Sequence, residues 1–307
     1  MVENLAHFGT LADGRHVQVI TLTAGDLSAR VLDYGARLMA YQRGEGPNVH
    51  VTSDSVADFE GAMCYAGPII GPVINRITGA QADIDGTLCH FDANQGDRHT
   101  LHSGRTGTHT ALWTIDTLTD AAVTLSIALA DGAGGFSGNR ALTARYGLED
   151  GGLTLTITAT TDAVTLMNPG HHGIWNADGM PTWKGQLLEV PAARYLPVDA
   201  DTLPTGEIAD VAGTRYDHRA PAVPDPSLDH NFCFEGGFGP RCRLIGQTQT
   251  LEIHSDAPGL QAYAGGSTGL ALEPQLWPDA PKNSAFPSIL LGPGETFQQR
   301  SRFVIAA

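Results

Sequence analysis

Leu153-Thr154-Leu155-Thr156-Ile157-Thr158 alternates large apolar and small polar side chains at every step. Successive side chains of a strand leave on opposite faces, so this period predicts an extended chain with one face in a core. The same pattern recurs outward from it. Val123, Leu125, Ile127 and Leu129 alternate with small or polar residues, as do the runs His16–Thr23, Trp113–Leu118, Thr250–His254 and Thr296–Ile305. Asp-Gly dipeptides at 13–14, 85–86, 131–132, 150–151 and 178–179 punctuate these runs in the manner of tight hairpin turns. No amphipathic helical pattern persists beyond a couple of turns. Many short strands without intervening helices predict an all-β fold, a large antiparallel β-sandwich. No repeat or linker breaks the chain, and Pro197–Pro226 reads as an elaborated loop, so one domain over residues 1–307 is expected.

Bulk composition narrows the partners. The chain is 42% hydrophobic and 17% charged, with a net charge of −15 and 18 scattered basic residues. Nucleic acid and anionic membrane surfaces both need clustered Lys and Arg, so neither is expected, and a neutral ligand suits this surface better. No stretch approaches the ~20 apolar residues of a membrane span. The opening Met1-Val2-Glu3-Asn4-Leu5-Ala6-His7 has neither a basic nor an apolar run, so no signal peptide is expected. Cys64, Cys89, Cys233 and Cys242 show no Cys-x-x-Cys pairing and no disulfide or zinc framework. A reduced, cytoplasmic protein follows as the expectation.

Five segments set unusual polar residues among glycines, prolines or apolar neighbours. In Gly71-Pro72-Val73-Ile74-Asn75-Arg76-Ile77 an asparagine and an arginine are enclosed by hydrophobic residues. Arg76 needs a partner, either an oxygen-rich ligand or backbone carbonyls. Thr100-Leu101-His102-Ser103-Gly104 carries a lone histidine, which taken alone suits a satisfied structural role. Adjacent histidines in Asn168-Pro169-Gly170-His171-His172-Gly173-Ile174-Trp175-Asn176 must point to opposite sides of an extended backbone, so one at most faces a given site. They lack an i,i+4 spacing and a third ligand, so no metal site is expected. Leu228-Asp229-His230-Asn231-Phe232 is likewise two-sided, and Asp229 either binds hydroxyls or caps a turn. Just before the fifth of these segments, Gln261 alternates between apolar neighbours in Gly259-Leu260-Gln261-Ala262-Tyr263. Finally, Ala271-Leu272-Glu273-Pro274-Gln275-Leu276-Trp277-Pro278 brings a carboxylate from an apolar run into a proline-rich stretch. The prolines predict a rigid loop rather than an interior strand. Desolvation there would raise the carboxyl pKa toward that of a base; the alternative is a surface glutamate in a turn.

These segments, in this order and with the turn Gly135-Phe136-Ser137-Gly138-Asn139 as a sixth block, resemble the aldose 1-epimerase (galactose mutarotase) family. Asn75-Arg76-Ile77, Leu101-His102-Ser103-Gly104, His172 within Asn168–Asn176 and Asp229-His230-Asn231-Phe232 carry the likeness. So do Leu272-Glu273-x-Gln275, Pro278-Asp279-Ala280-Pro281, Phe286-Pro287 and Pro293-Gly294-Glu295-Thr296. The resemblance implies a galactose mutarotase-like supersandwich and a cofactor-free, metal-free interconversion of the α and β anomers of a free sugar, by a monomer or homodimer. By position it implies Glu273 as general base on the anomeric hydroxyl and His172 as general acid on the ring oxygen. Arg76 and His102 would polarise sugar oxygens, and Asn75, Asp229 and Gln261 would bind hydroxyls. This chain departs from the family at Pro72, at His171, at Gly173-Ile174-Trp175 and at Pro274. These changes reshape the pocket wall and leave the sugar open. Two other readings use the same residues: an enzyme acting on a sugar lactone or glycoside, with Asp229 partnering Glu273, and a non-catalytic sugar-binding protein.

Overall fold

Alternation becomes pairing in the computed structural model, which describes residues 4–306. Residues 1–3 of the stretch searched for a leader lie outside that range. Leu153, Leu155, Ile157 and Ala159 of the strand Gly152–Thr161 are buried in the main core, while the threonines between them lie closer to the surface. This strand pairs antiparallel with Arg140–Glu149 on one side and with Phe297–Ala306 on the other. Together they centre an eight-stranded sheet that also contains Ala122–Leu129, Thr250–Ser255 and Gly239–Ile245. The hydrophobic surface of one sheet needs a cover, and two further sheets supply it. A four-stranded meander runs from Leu5–Thr10 to Arg37–Arg43. A six-stranded sheet has the order Ile174–Trp175, Leu270–Gln275, Gly259–Tyr263, Asp229–Cys233, Arg194–Leu196, Ala209–Asp210. Residues from all three sheets share one apolar cluster, in which Leu22, Leu155 and Leu272 are fully or almost fully buried. The expected all-β antiparallel sandwich is therefore the observed class. No helix among the described residues is long and apolar enough to cross a membrane.

The turns divide. Asp85-Gly86 and Asp150-Gly151 are two-residue hairpins with both residues at positive φ, the conformation that favours this dipeptide. Asp13-Gly14 sits in a slightly longer hairpin, and Asp131-Gly132 opens a loop that spans to Arg140. Asp178-Gly179 joins no hairpin at all. Asp178 instead accepts hydrogen bonds from the backbone N–H groups of Gln247 and Thr248, tying two loops together.

One expectation is overturned. Glu273 and Pro274 lie in the interior strand Leu270–Gln275, not in a loop. A proline fits there because its missing N–H faces the side where the neighbouring strand Ile174–Trp175 has already ended. The last bond on that side runs from the Leu272 N–H to the Gly173 carbonyl at 3.0 Å. The Pro274 carbonyl is still satisfied, accepting from Gln299 Nε2 at 3.0 Å. Of the prolines beyond it, Pro278 stands in a turn and Pro281 in the short 3-10 helix Ala280–Lys282.

Candidate active site

A cavity of 490 Å³ opens over one face of the six-stranded sheet, and Asn75, Arg76, His102, His172, Asp229, Gln261 and Glu273 all line it. Strand register explains why residues so distant in sequence meet. Asn231 faces Gln261 and Gln261 faces Glu273, while one step along the strands Asp229 faces Tyr263, Tyr263 faces Ala271 and Ala271 faces Ile174. Because side chains alternate, Glu273, Ala271, Gln261 and Tyr263 project from one face, and Leu270 and Leu272 from the other into the core. The bond between Leu272 and Gly173 extends the last pairing by one residue and brings His172 beside Glu273.

His172 Nε2 lies 3.5 Å from Glu273 Oε1, and Glu273 Oε2 has no protein partner. Burial pushes the Glu273 carboxyl well above the usual carboxylate range, with the charge of Asp229 adding to the effect and Arg76 opposing it. Burial also pushes the His172 imidazole down, to about 4. The surroundings thus favour a neutral acid beside a neutral imidazole, where the sequence pointed to a carboxylate and an imidazolium. Both arrangements hold one proton and differ only in where it sits, so the pair behaves as one coupled unit.

The other groups form a connected polar wall. Asp229 accepts from Gln261 Nε2 at 2.6 Å and pairs with Arg76 at 3.3 Å. Arg76 also donates to Gln95 Oε1 at 3.0 Å. Held on several sides, the guanidinium keeps its fork fixed at the cavity edge. His102 Nδ1 accepts from the Asn75 backbone N–H at 3.1 Å. A nitrogen that accepts from an amide carries no proton, and burial holds His102 well below the usual imidazole pKa. The ring is therefore neutral with its hydrogen on Nε2, a fixed donor. Asn75 (φ 66°) and His102 (φ 54°) both adopt left-handed backbone, a cost of order 1 kcal/mol or more for each that serves to aim the two side chains.

His171 takes the opposite side of the backbone from His172 and packs into the core against His50, Trp175 and Phe303. His50 and His171 use no ring nitrogen in a hydrogen bond to protein, and burial depresses both, His50 to about 3. No group of three or more His, Cys, Asp or Glu that could hold a metal occurs among the described residues.

Sequence reasoning missed Tyr65, whose ring stacks on His172 at 5.7 Å and leans on His102 at 4.6 Å. It also missed Arg37, fully buried with no carboxylate partner, whose guanidinium donates to the carbonyls of Met63, Cys64 and Ala66. That segment walls the cavity. Tyr65 stands before Gly67-Pro68, a weak signal of a turn; nothing local marks Arg37, because its partners are backbone atoms distant in sequence.

The family profile described as Aldose 1-epimerase matches residues 18–304. Galactose mutarotase of Mus musculus is 30% identical, with 96% of each chain covered. Aldose 1-epimerase of Escherichia coli is 27% identical over 96% of this chain and 97% of its own. Among solved structures, a galactose 1-epimerase from Lactobacillus acidophilus superposes with a TM-score of 0.87 at 25% identity, covering 98% of both chains. An aldose epimerase homologue from C. elegans gives 0.88 at 24% identity, covering 94% of this chain and 98% of its own, which speaks for the fold.

Proposed function

The chain belongs to the aldose 1-epimerase family and is an isomerase that interconverts the α and β anomers of a free aldose, and we propose that Glu273 and His172 perform the proton transfers. The observation that carries this assignment is the 3.5 Å separation of His172 Nε2 and Glu273 Oε1. The two reacting oxygens of a cyclic aldose, O1 and O5, are bonded to the same carbon. An acid and a base serving them must therefore stand side by side, as these do.

The reaction begins from a Glu273 carboxylate and a His172 imidazolium. Glu273 takes the proton of the O1 hydroxyl while His172 delivers its proton to O5. The C1–O5 bond breaks and C1=O1 forms. The pair is then carboxylic acid and neutral imidazole, its net proton count unchanged. Rotation about C1–C2 presents the other face of the carbonyl to O5–H, and the reverse transfers close the ring. Burial disfavours the separated charges of the starting pair, so the surroundings offset part of the cost of opening the ring. Neutral His102, with Nε2–H toward the cavity, and the Arg76 guanidinium donate to sugar oxygens. Asn75, Asp229 and Gln261 bind hydroxyls. Asp229 is occupied by Arg76 and Gln261, a placement suited to binding rather than to a second catalytic carboxylate.

Mutarotation of freshly dissolved α-aldose, followed by polarimetry or NMR, tests the roles. Glu273→Gln and His172→Asn are each expected to lower kcat by roughly 10²–10⁴-fold. Wild-type rates in either variant would overturn the assignment. We read the chain further as one domain acting on a small neutral sugar in the cytoplasm, as a monomer or homodimer.

A further inference from the structure

The cavity changes character along the strands. At the Gln261–Glu273 step it is lined by groups that bond or protonate oxygen. One step further, about 7 Å along the strand axis, Asp229 lies on one flank, and on the opposite flank Ile174 and Ala271 present only carbon. Val51 and Gly269 complete that corner. The Val51 N–H is already donated to the Ile174 carbonyl at 2.8 Å. A Cβ built on Gly269 would lie 2.7 Å from Val51 Cγ2 and 2.8 Å from Ile174 Cγ2, so these three residues are in close packing, and Ala271 stands across the strand pair from Ile174. Their side chains offer no hydrogen-bonding atom. Thr268 and Tyr263 also line the cavity, Tyr263 across the strand pair from Ala271, but both are exposed and so leave the buried corner itself to carbon.

The order of groups across the sheet orients a sugar ring. His172 serves O5, Glu273 serves O1, and Gln261 and Asp229 follow on the far side. C2 and C3, which follow C1, then point their hydroxyls toward Gln261, Asp229 and Arg76. C5, which follows O5, lies on the His172 side, where the next residue on the same face is Ile174. The carbon carried by C5 therefore meets the apolar corner.

Resting on the epimerase assignment above, we propose that the preferred substrate is a 6-deoxyaldose, whose C5 methyl packs against Val51, Ile174, Gly269 and Ala271. A hydroxymethyl group would bury its hydroxyl without a partner, and a pentose would leave the corner unfilled. Either loss costs transition-state binding.

Two matched series provide the test, with kcat/KM for mutarotation measured on D-fucose, D-galactose and L-arabinose, and on 6-deoxy-D-glucose, D-glucose and D-xylose. Within each series the ring configuration is constant and only the C5 substituent changes. In whichever series is accelerated, the 6-deoxy sugar is expected to exceed both others by roughly tenfold or more. Ile174→Thr, which keeps a β-branched strand residue and adds a hydroxyl, is expected to bring the hydroxymethyl sugar toward parity, and Ala271→Ser to act in the same direction. A hexose or pentose equal to the 6-deoxy sugar, with all accelerated, would overturn the corner's role and leave the epimerase assignment standing. Acceleration of none of the six would overturn both.

Discussion

In its proposed role as base, Glu273 would serve catalysis at the expense of stability. Its carboxyl is buried, and its folded pKa lies well above the unfolded value. A group raised in this way favours the folded state below its unfolded pKa and loses that contribution as pH rises through the folded pKa, because the buried carboxylate must then ionise. Glu273→Gln removes this liability together with the proposed base. The variant is expected to melt higher relative to wild type at pH 9 than at pH 5, in paired thermal scans; a difference that is flat or reversed with pH would contradict it. Activity should follow a bell. The single proton shared with His172 is lost at high pH and doubled at low pH, and either change removes the working pair. In a kcat/KM profile both limbs should be steep, and a monotonic profile would argue against a two-group mechanism. The residue types of this site were legible in the sequence, since an enclosed Arg76, a lone His102 and a carboxylate in an apolar run each stand out. Their contacts were not. Neither the choice of Nε2 as the protonated nitrogen of His102 nor the 3.5 Å gap between His172 and Glu273 follows from any local pattern.

At the scale of elements, the segment 62–66 has little regular structure and still forms a wall of the cavity. Arg37 holds it. Its guanidinium lies 4.5 Å from the Phe59 ring and donates to three carbonyls, and burial pulls its pKa down to about 10. Replacing it by Met keeps much of the volume but leaves the Cys64 and Ala66 carbonyls without their donor, while the Met63 carbonyl keeps the Ala66 N–H; the loss costs on the order of 2 kcal/mol or more. Arg37→Met should therefore lower the denaturation midpoint and raise KM more than it lowers kcat, since Tyr65 loses its anchored backbone. Arg37→Lys should fail to restore either, because an ammonium cannot reproduce the planar fork. An unchanged KM in a folded Arg37→Met protein would remove Arg37 from the site's support. Element type was largely visible from the period-two runs. The exception, Pro274, misled because proline argues against an interior strand only where its N–H side is paired, and pairing belongs to the neighbour rather than to the segment.

Across the molecule, buried neutral histidines set the response to acid. His50, His102, His171 and His172 are all held well below the ordinary imidazole pKa by burial, His50 to about 3 and His172 to about 4. Their folded pKa values are depressed, so the stability they allow is present above about pH 6.5 and is lost as pH falls toward the folded values. Each contributes a slope of about 1.4 kcal/mol per pH unit in that window. Glu273 and Asp33, the latter raised to about 6, act in the opposite sense but are fewer. Unfolding is thus expected between pH 4 and 6, and native circular dichroism persisting at pH 4 would contradict this. The sequence by itself determined the class of fold, because alternation of side chains across a strand is a property of consecutive residues. It also determined which chemistry was available, because residue types and their enclosure by apolar neighbours are local. Only the tertiary structure decided that His172 stands beside Glu273, that Arg37 braces the wall, and that Ile174 and Ala271 make an apolar corner. Each depends on the register between strands far apart in the chain, and register is set by which faces pack together, not by any one strand's own sequence.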